Sequence, residues 1–175
     1  VRLVSETGQD VPVGEPGEIW VRGPQVMQGY WQNEAETAHV MHDGWFATGD
    51  IGVMDAEGFF RIVDRKKDMV LVSGFNVYPN EVEDVIAQMD AVLEVAVVGT
   101  PDERTGEAVR AYVVANPDHP EALSAEAVLA HCKQHLVAYK RPTSVVLRDE
   151  LPKSPIGKVL RKDLKAEVKN EFKRA

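Results

Sequence analysis

The first 64 residues alternate short hydrophobic runs with turn residues, a pattern typical of strands. Residues 17–23, GEIWVRG, place polar and apolar side chains in near alternation. A turn separates the hydrophobic runs at 51–54 and 59–63, and its Gly58 can supply the positive φ that a hairpin needs. This part of the chain is therefore predicted to be mainly antiparallel β-structure.

Helical patterns are sparse before residue 67 and frequent after it. A short helix is predicted at 33–42, with Asn33 as its N-cap. Later helices are predicted at 79–89, from Ser124 to before Pro142, and at 158–174, where basic residues accompany an apolar stripe. Their apolar faces comprise Val82, Val85, Ile86 and Met89; Val128, Leu129, Cys132, Leu136 and Tyr139; and Leu160, Leu164, Val168 and Phe172. Strands are predicted between them at 95–99, 108–114 and 144–148.

The strand-rich pattern changes to the mixed pattern of helices and strands at four consecutive charged residues, 65–68. Four such residues are rarely buried together, so they favour an exposed connection. We predict an α+β chain with a β-rich unit at 1–64, a connection at 65–68 and an α+β unit at 69–175.

Composition narrows the functional classes. The chain has 175 residues and a net charge of −8, which argues against non-specific nucleic-acid binding. No apolar run approaches the roughly 20 residues of a membrane span. The start at Val1, without a leader and without Met, predicts a fragment of a longer protein. The single cysteine, Cys132, allows no internal disulfide and fits a reducing compartment.

Asp50 and Arg65 are the first candidates for ligand binding. A carboxylate in the turn-like Thr48-Gly49-Asp50 run can accept two hydrogen bonds from a diol, and a guanidinium can bind a phosphate or ribose oxygen. The two arms of one hairpin would hold them on either side of a polar ligand. The alternatives, a turn-capping Asp50 and a surface Arg65, are favoured by spacing alone.

Two glycine-flanked segments are further candidates. Lys158 follows Gly157 in a proline-containing loop and could neutralise charge on a phosphorylated transition state. It could equally be a solvated residue at the start of the last helix. Gly74 lies between a β-run and a helix, where it allows either close approach of a thin ligand or a tight turn.

Two other patterns, a pair of histidines beside a cysteine and a basic helix, are interpreted as structural features and not as binding sites. His131 and His135 flank Cys132 with metal-ligand spacing, but Cys132 belongs to an apolar face and no third ligand is apparent, so no metal site is predicted. The basic helix 158–174 could contact anionic lipid. We favour its packing on the domain's own sheet, because its apolar stripe is narrow and lacks Trp.

The order of four motifs identifies a family resemblance. Phe46–Asp50 (FATGD), Asp64–Asp68 (DRKKD), Ser73-Gly74 and Pro152–Lys158 (PKSPIGK) together resemble the carboxy-terminal core motifs of adenylate-forming enzymes. That superfamily comprises acyl-CoA synthetases, peptide-synthetase adenylation domains and luciferases. Residues 43–67 resemble the fatty-acyl-CoA synthetase signature, and 67–81 resemble bacterial long-chain fatty-acid–CoA ligases.

The resemblance implies a role for each motif. Asp50 would hold the ribose hydroxyls of ATP and acyl-adenylate, and Arg65 would contact the same ribose–phosphate region. Lys158 would bridge nucleotide and carboxylate oxygens during adenylation. A small mobile domain would then turn about Lys67, and the face with Gly74 would line the pantetheine tunnel. Residues 1–64 would be the last, barrel-like subdomain of a large N-terminal domain, followed by a short, mainly antiparallel sheet flanked by helices.

Contacts to coenzyme A follow a motif that this chain matches in part. An aromatic-Lys-Arg-Pro-Lys run in some relatives corresponds here to Tyr139 through Thr143, so Tyr139 and Arg141 match and Thr143 departs. A loop with a tryptophan in some relatives has Thr105 and no aromatic residue here. The resemblance thus implies a CoA site whose adenosine end is held differently or weakly.

The implied activity is that of a cytoplasmic, AMP-forming long-chain fatty-acid–CoA ligase, with possible peripheral contact with the inner membrane. Its substrates would be fatty acid, ATP and CoA. Mg²⁺, the ATP phosphate loop and the acyl pocket would belong mainly to an upstream part, so this chain alone is expected to be inactive. One alternative is an adenylation domain that loads a carrier protein's phosphopantetheine. The other is a non-catalytic membrane-docking module.

Overall fold

The computed structural model describes residues 1–119 and 123–173, which form two compact units. The first comprises residues 1–67 and the second begins at Asp68. Each unit contains one five-stranded sheet and at least one helix. The predicted α+β class, with mainly antiparallel sheets, is confirmed.

Unit 1 is built on an antiparallel sheet. Its strands are β1 (Arg2–Val4), β2 (Gly17–Val21), β3 (Met41–His42), β4 (Trp45–Met54) and β5 (Phe60–Arg65). β2 lies between β1 and β4, and both β3 and β5 pair with the long strand β4. The register shifts between Glu18 and Trp20 in β2 and between Ile51 and Gly52 in β4.

The predicted hairpin of β4 and β5 is confirmed. Asp55 closes its turn, because one carboxylate oxygen accepts hydrogen bonds from the amides of Glu57 and Phe59. Gly58 has φ +88°, the left-handed conformation for which glycine is suited. These local side-chain hydrogen bonds therefore stabilise the turn that joins the two strands.

The short helix α1 (Glu34–Val40) begins where the sequence predicts it. The side-chain oxygen of Asn33 accepts from the amide of Glu36 at 3.1 Å, which satisfies one exposed donor of the first turn. The prediction that this helix reaches residue 42 is wrong, since residues 41 and 42 pair with β4 as β3.

Unit 2 centres on strand β9. Its strands are β6 (Val70–Val72), β7 (Phe75–Val77), β8 (Val92–Asp102), β9 (Gly106–Ala115) and β10 (Ser144–Arg148). β8 and β6 pair antiparallel with β9, whereas β10 pairs parallel with it. β10 has the predicted bounds. β8 and β9 extend beyond their predicted bounds at both ends, and they also continue into the turn that connects them.

Helices cover both faces of this sheet. They are α2 (Pro79–Ile86), α3 (Ala125–His135) and α4 (Arg161–Phe172). Because side chains alternate along a strand, β8 and β9 supply two separate hydrophobic clusters. One contains Val97, Ala111 and Val113 with Val82, Ile86, Val128 and Cys132; the other contains Ala96, Val98 and Tyr112 with Leu164 and Val168.

The predicted helix bounds need three corrections. The second helix stops at Ile86 instead of 89, and the third at His135, after which 138–140 form a short 3-10 turn. The last helix begins at Arg161 instead of 158, and its predicted end at 174 lies outside the described residues. Its packing on the domain's own sheet is confirmed, because Leu164 and Val168 are buried there.

Cys132 is a core residue, as predicted. Its side chain lies in the cluster between α3 and the sheet, and burial raises the pKa of its thiol to about 11. The thiol is therefore protonated at neutral pH. Among the described residues, no helix has the length and apolar character needed to cross a membrane.

Leu164→Ala tests the docking of α4. Leu164 is fully buried, so the substitution should lower the free energy of unfolding in urea by about 2–5 kcal/mol. The matched control is Leu147→Ala, because Leu147 is 47% exposed and should lose about 1 kcal/mol or less. Equal losses at the two positions would contradict the packing of α4 on the sheet.

Candidate functional site

Asp50 and Arg65 face each other across β4 and β5, where they are direct partners in the strand register. Their closest charged atoms, Oδ1 and Nε, are 3.8 Å apart, and the side chains are 36% and 63% exposed. The predicted placement on two arms of one hairpin is confirmed. Asp50 lies within a strand instead of a turn, although Gly49 before it has φ +75°.

A groove of about 940 Å³ opens beside this pair in unit 1. Asp50, Arg65, Lys66 and Lys67 line one part of it. Other parts are formed by residues 5–8, by residues 46–49, and by the aromatic side chains of Trp20 and His42, which stack with 4.8 Å between ring centroids. The groove therefore combines charged groups of both signs with aromatic surface, a composition suited to a nucleotide.

Glu18 also lines this groove, and sequence reasoning did not identify it. One of its oxygens accepts from the amide of Gly49 at 3.1 Å. The other accepts from Lys66 Nζ at 2.9 Å and from Trp20 Nε1 at 3.2 Å. Its only sequence signal is its place in the alternating run 17–23.

The charged residues 65–68 are not uniformly exposed. Lys66–Asp68 form one 3-10 turn, and the lysines are exposed as predicted. The prediction is wrong for Asp68, whose side chain is only 14% exposed. Its carboxylate binds Lys165 Nζ at 2.9 Å and lies 3.9 Å from Arg161, so charges from α4 compensate its burial.

Arg161 joins several elements of unit 2. Its guanidinium binds both oxygens of Glu83, at 3.1 and 2.6 Å, and Asn80 Oδ1 at 2.5 Å. Glu83 in turn accepts from the amide of Val97 at 2.7 Å. The start of α4 is therefore held against α2 and β8 by charge-assisted hydrogen bonds.

Lys158 lies in the loop that precedes α4, and it is exposed. The loop is closed by hydrogen bonds between Ser154 and Lys158, with Gly157 at φ +80° between them. Lys153 at its base forms an ion pair with Glu94. The interpretation of Lys158 as a residue of the last helix is wrong, and its side chain projects from a small, internally bonded loop.

Ser73 and Gly74 form the two-residue turn of the β6–β7 hairpin, with φ +51° and +84°. Two positive φ values are the signature of a type I′ turn. The prediction that this segment links a strand to a helix is wrong, because β7 intervenes. Apart from residues 73–75 themselves, no heavy atom of the described residues lies within 4 Å of where a Cβ of residue 74 would be.

The predicted CoA residues have contacts within unit 2. The Tyr139 ring stacks on Phe75, with 4.6 Å between centroids, which brings it beside the Gly74 hairpin. Arg141 Nε donates to the carbonyl of Leu136 at 2.8 Å. The loop with Thr105 is a tight turn in which Asp102 accepts three hydrogen bonds, and those bonds, led by the Thr105 hydroxyl, lower the pKa of Asp102.

The histidines around Cys132 have other contacts. His131 Nε2 lies 3.0 Å from the carbonyl oxygen of Val85, and its ring packs on His135 at 4.4 Å. Within 1–119 and 123–173, no group of three or more His, Cys, Asp or Glu side chains is arranged to hold a metal ion.

Comparison with known proteins gives the chain two family matches. Residues 81–158 match the AMP-binding enzyme C-terminal domain, and residues 1–31 match the AMP-binding enzyme family. The chain is 58% identical to a long-chain-fatty-acid–CoA ligase of Yersinia pestis over 167 residues, which is 95% of this chain and 29% of that protein. It therefore spans under a third of the length of this relative.

Two solved structures share the fold. ATP-bound MatB from Rhodopseudomonas palustris is 38% identical with a TM-score of 0.90, and the match covers 98% of this chain and 34% of that one. The o-succinylbenzoate CoA synthetase of Bacillus subtilis, in complex with an acyl-adenylate, is 37% identical with a TM-score of 0.83, over 94% and 33% of the respective chains. These matches show that the chain carries the C-terminal domain of the AMP-binding enzymes at residues 81–158 and a stretch of the AMP-binding enzyme domain at residues 1–31.

Proposed function

We propose that this chain forms the carboxy-terminal part of an ATP-dependent long-chain fatty-acid–CoA ligase. In the first half-reaction, a fatty-acid carboxylate oxygen attacks the α-phosphorus of ATP, which gives acyl-adenylate and diphosphate. In the second, the CoA thiol attacks the acyl carbonyl carbon, and AMP leaves. The observation that carries the proposal is the pairing of Asp50 with Arg65 beside a groove, in a chain 58% identical to such a ligase.

Asp50 and Arg65 are proposed to bind the ribose of ATP and of the acyl-adenylate. A carboxylate can accept hydrogen bonds from both hydroxyls of a ribose diol, and a guanidinium offers a planar set of donors to ribose and phosphate oxygens. Their 3.8 Å separation is longer than a hydrogen bond. A ligand that enters between them therefore disrupts little existing bonding.

Lys158 is proposed to act in adenylate formation. Its ammonium would neutralise charge that develops between the attacking carboxylate and the α-phosphate, an effect that is strong when the group is positioned in advance. The internal bonds of its loop and the Lys153–Glu94 ion pair support such positioning. The residue itself remains exposed and accessible to a ligand.

The second half-reaction is proposed to use a different face of unit 2. Rotation about Lys67 would withdraw Lys158 and bring the Gly74 hairpin to the pantetheine path. The open space at Gly74 and the neighbouring stack of Phe75 on Tyr139 are consistent with a narrow, partly aromatic channel. We propose that the terminal nitrogens of the Arg141 guanidinium contact CoA, because its Nε already donates a hydrogen bond to the carbonyl of Leu136.

The proposed setting is the cytoplasm, with fatty acid, ATP and CoA as substrates. Mg²⁺ would accompany ATP and bind mainly to parts of the enzyme outside this chain. We extend this proposal to peripheral contact with the inner membrane. The apolar stripe of α4 is not proposed as the contact surface, because Leu164 and Val168 are buried against the sheet.

The activity can be tested with the full-length enzyme that contains this chain. We expect it to consume free CoA and ATP and to form acyl-CoA, AMP and diphosphate from a 16-carbon fatty acid, measured by chromatography in about equimolar amounts. Acyl transfer to a carrier protein's phosphopantetheine without turnover of free CoA would favour the alternative adenylation domain and contradict the proposal.

Lys158→Ala in the full-length enzyme should slow adenylate formation by about 10²–10³-fold. Exchange of diphosphate into ATP measures this step. Thioester formation from supplied acyl-adenylate should stay within about threefold of the wild type, because Lys158 is withdrawn in that step. Lys169→Ala, in α4, removes the same charge elsewhere and serves as the control. Equal loss in both half-reactions would contradict the assigned role.

Gly74→Leu should have the opposite effect. A branched side chain at this turn would obstruct the thiol and slow thioester formation by about 10²-fold, while diphosphate exchange persists. Gly58→Leu is the matched control, because Gly58 also has positive φ and open space at a hairpin turn. Gly58→Leu should show the same effect of backbone strain on stability, but it should not selectively slow thioester formation. Normal thioester formation in Gly74→Leu would refute the tunnel assignment.

A further inference from the structure

We propose that Glu18 is a positioning residue that sets the geometry of Asp50 and Arg65 for nucleotide binding. The inference rests on the proposed function, since it assigns a support to the same site. Glu18 is in β2, and its carboxylate is only 10% exposed. A carboxylate removed from water is costly unless charged and polar partners surround it.

The partners of Glu18 are adjacent to the two ligand-binding residues. Gly49, whose amide donates to one oxygen, immediately precedes Asp50. Lys66, whose ammonium donates to the other, immediately follows Arg65. The two oxygens of one carboxylate therefore hold the two arms of the hairpin, each at the residue next to its charged group.

Neighbouring hydrogen bonds fix the first arm further. The hydroxyl of Thr48 donates to the carbonyl of Ile19 at 2.8 Å, and it accepts from the amide of Asp50 at 3.1 Å. The segment that carries Asp50 is therefore bound to β2 at two consecutive residues, Glu18 and Ile19. Displacement of β2 relative to β4 would move the Asp50 carboxylate.

The geometry separates this role from direct ligand binding. Both Glu18 oxygens are already occupied by donors of the protein. A negative group directed at phosphate would also repel it. Glu18 therefore acts through Gly49 and Lys66. Its loss should weaken the binding of nucleotide more than the binding of the acyl substrate or CoA.

Glu18→Gln is the decisive variant. An amide retains one oxygen acceptor, so it can serve Gly49 or Lys66 but not both, and its NH₂ group faces a donor at the other position. In the full-length enzyme we expect the KM for ATP and the Kd for AMP to rise roughly tenfold. The KM values for fatty acid and CoA should change less than about twofold.

A double-mutant cycle with Lys66→Met tests the pathway of the effect. The two substitutions together should raise the Kd for AMP by less than the product of the two single changes, because both remove the contact between Glu18 and Lys66. Asp10→Asn is the matched control. It breaks the 2.7 Å ion pair between Asp10 and Arg2 in the same unit, outside the groove, and should leave nucleotide affinity unchanged.

Calorimetric binding of AMP separates failure of this inference from failure of the proposed function. Wild-type enzyme that binds AMP but forms no acyl-CoA would contradict the ligase activity, and the effect of Glu18→Gln on the Kd would still be measured. Unchanged AMP affinity in folded Glu18→Gln enzyme would overturn the positioning role. A uniform rise in all three KM values would overturn it as well, since that result indicates general loss of structure.

Discussion

The register between β4 and β5 is the constraint on which the candidate site depends, because it places Asp50 opposite Arg65. A slip of one residue would turn every side chain of a strand to the other face of the sheet. The register shifts between Ile51 and Gly52, where a Cβ at Gly52 would lie 2.8 Å from the Ile19 side chain and 3.2 Å from the carbonyl oxygen of Arg61. A larger side chain at Gly52 would therefore disturb the packing of β4 against β2 and β5 two residues from Asp50.

Local sequence patterns were sufficient wherever the determinants lie close in the chain. The Asn33 cap, the Gly58 turn and β10 all depend on neighbouring residues or on an alternating run, and each was predicted correctly. The Gly74 hairpin was missed because its strands have three residues each, too short for periodicity to emerge. Helix ends were overestimated where apolar side chains continue past the last helical turn and pack from a loop.

Long-range electrostatics explain what sequence reasoning missed at the site. Asp50 and Arg65 could be predicted as a pair because one hairpin carries both. Glu18 could not, because the two partners that link it to the site, Gly49 and Lys66, are 31 and 48 residues further along the chain. Asp68 was predicted to be exposed for the same reason, since the basic side chain that compensates its burial is 97 residues away. A charge is judged buried or exposed correctly only when its distant partners are known.

The burial of Cys132 has a practical consequence for studying motion in this protein. The chain contains one cysteine, and its thiol is covered by the core and protonated at neutral pH. Maleimide dyes and spin labels react with exposed thiolates, so this native residue contributes little background. One new surface cysteine in each unit could therefore carry a label pair without removal of Cys132. The distance distribution between the labels would then test whether the two units move relative to each other when nucleotide and thiol are added.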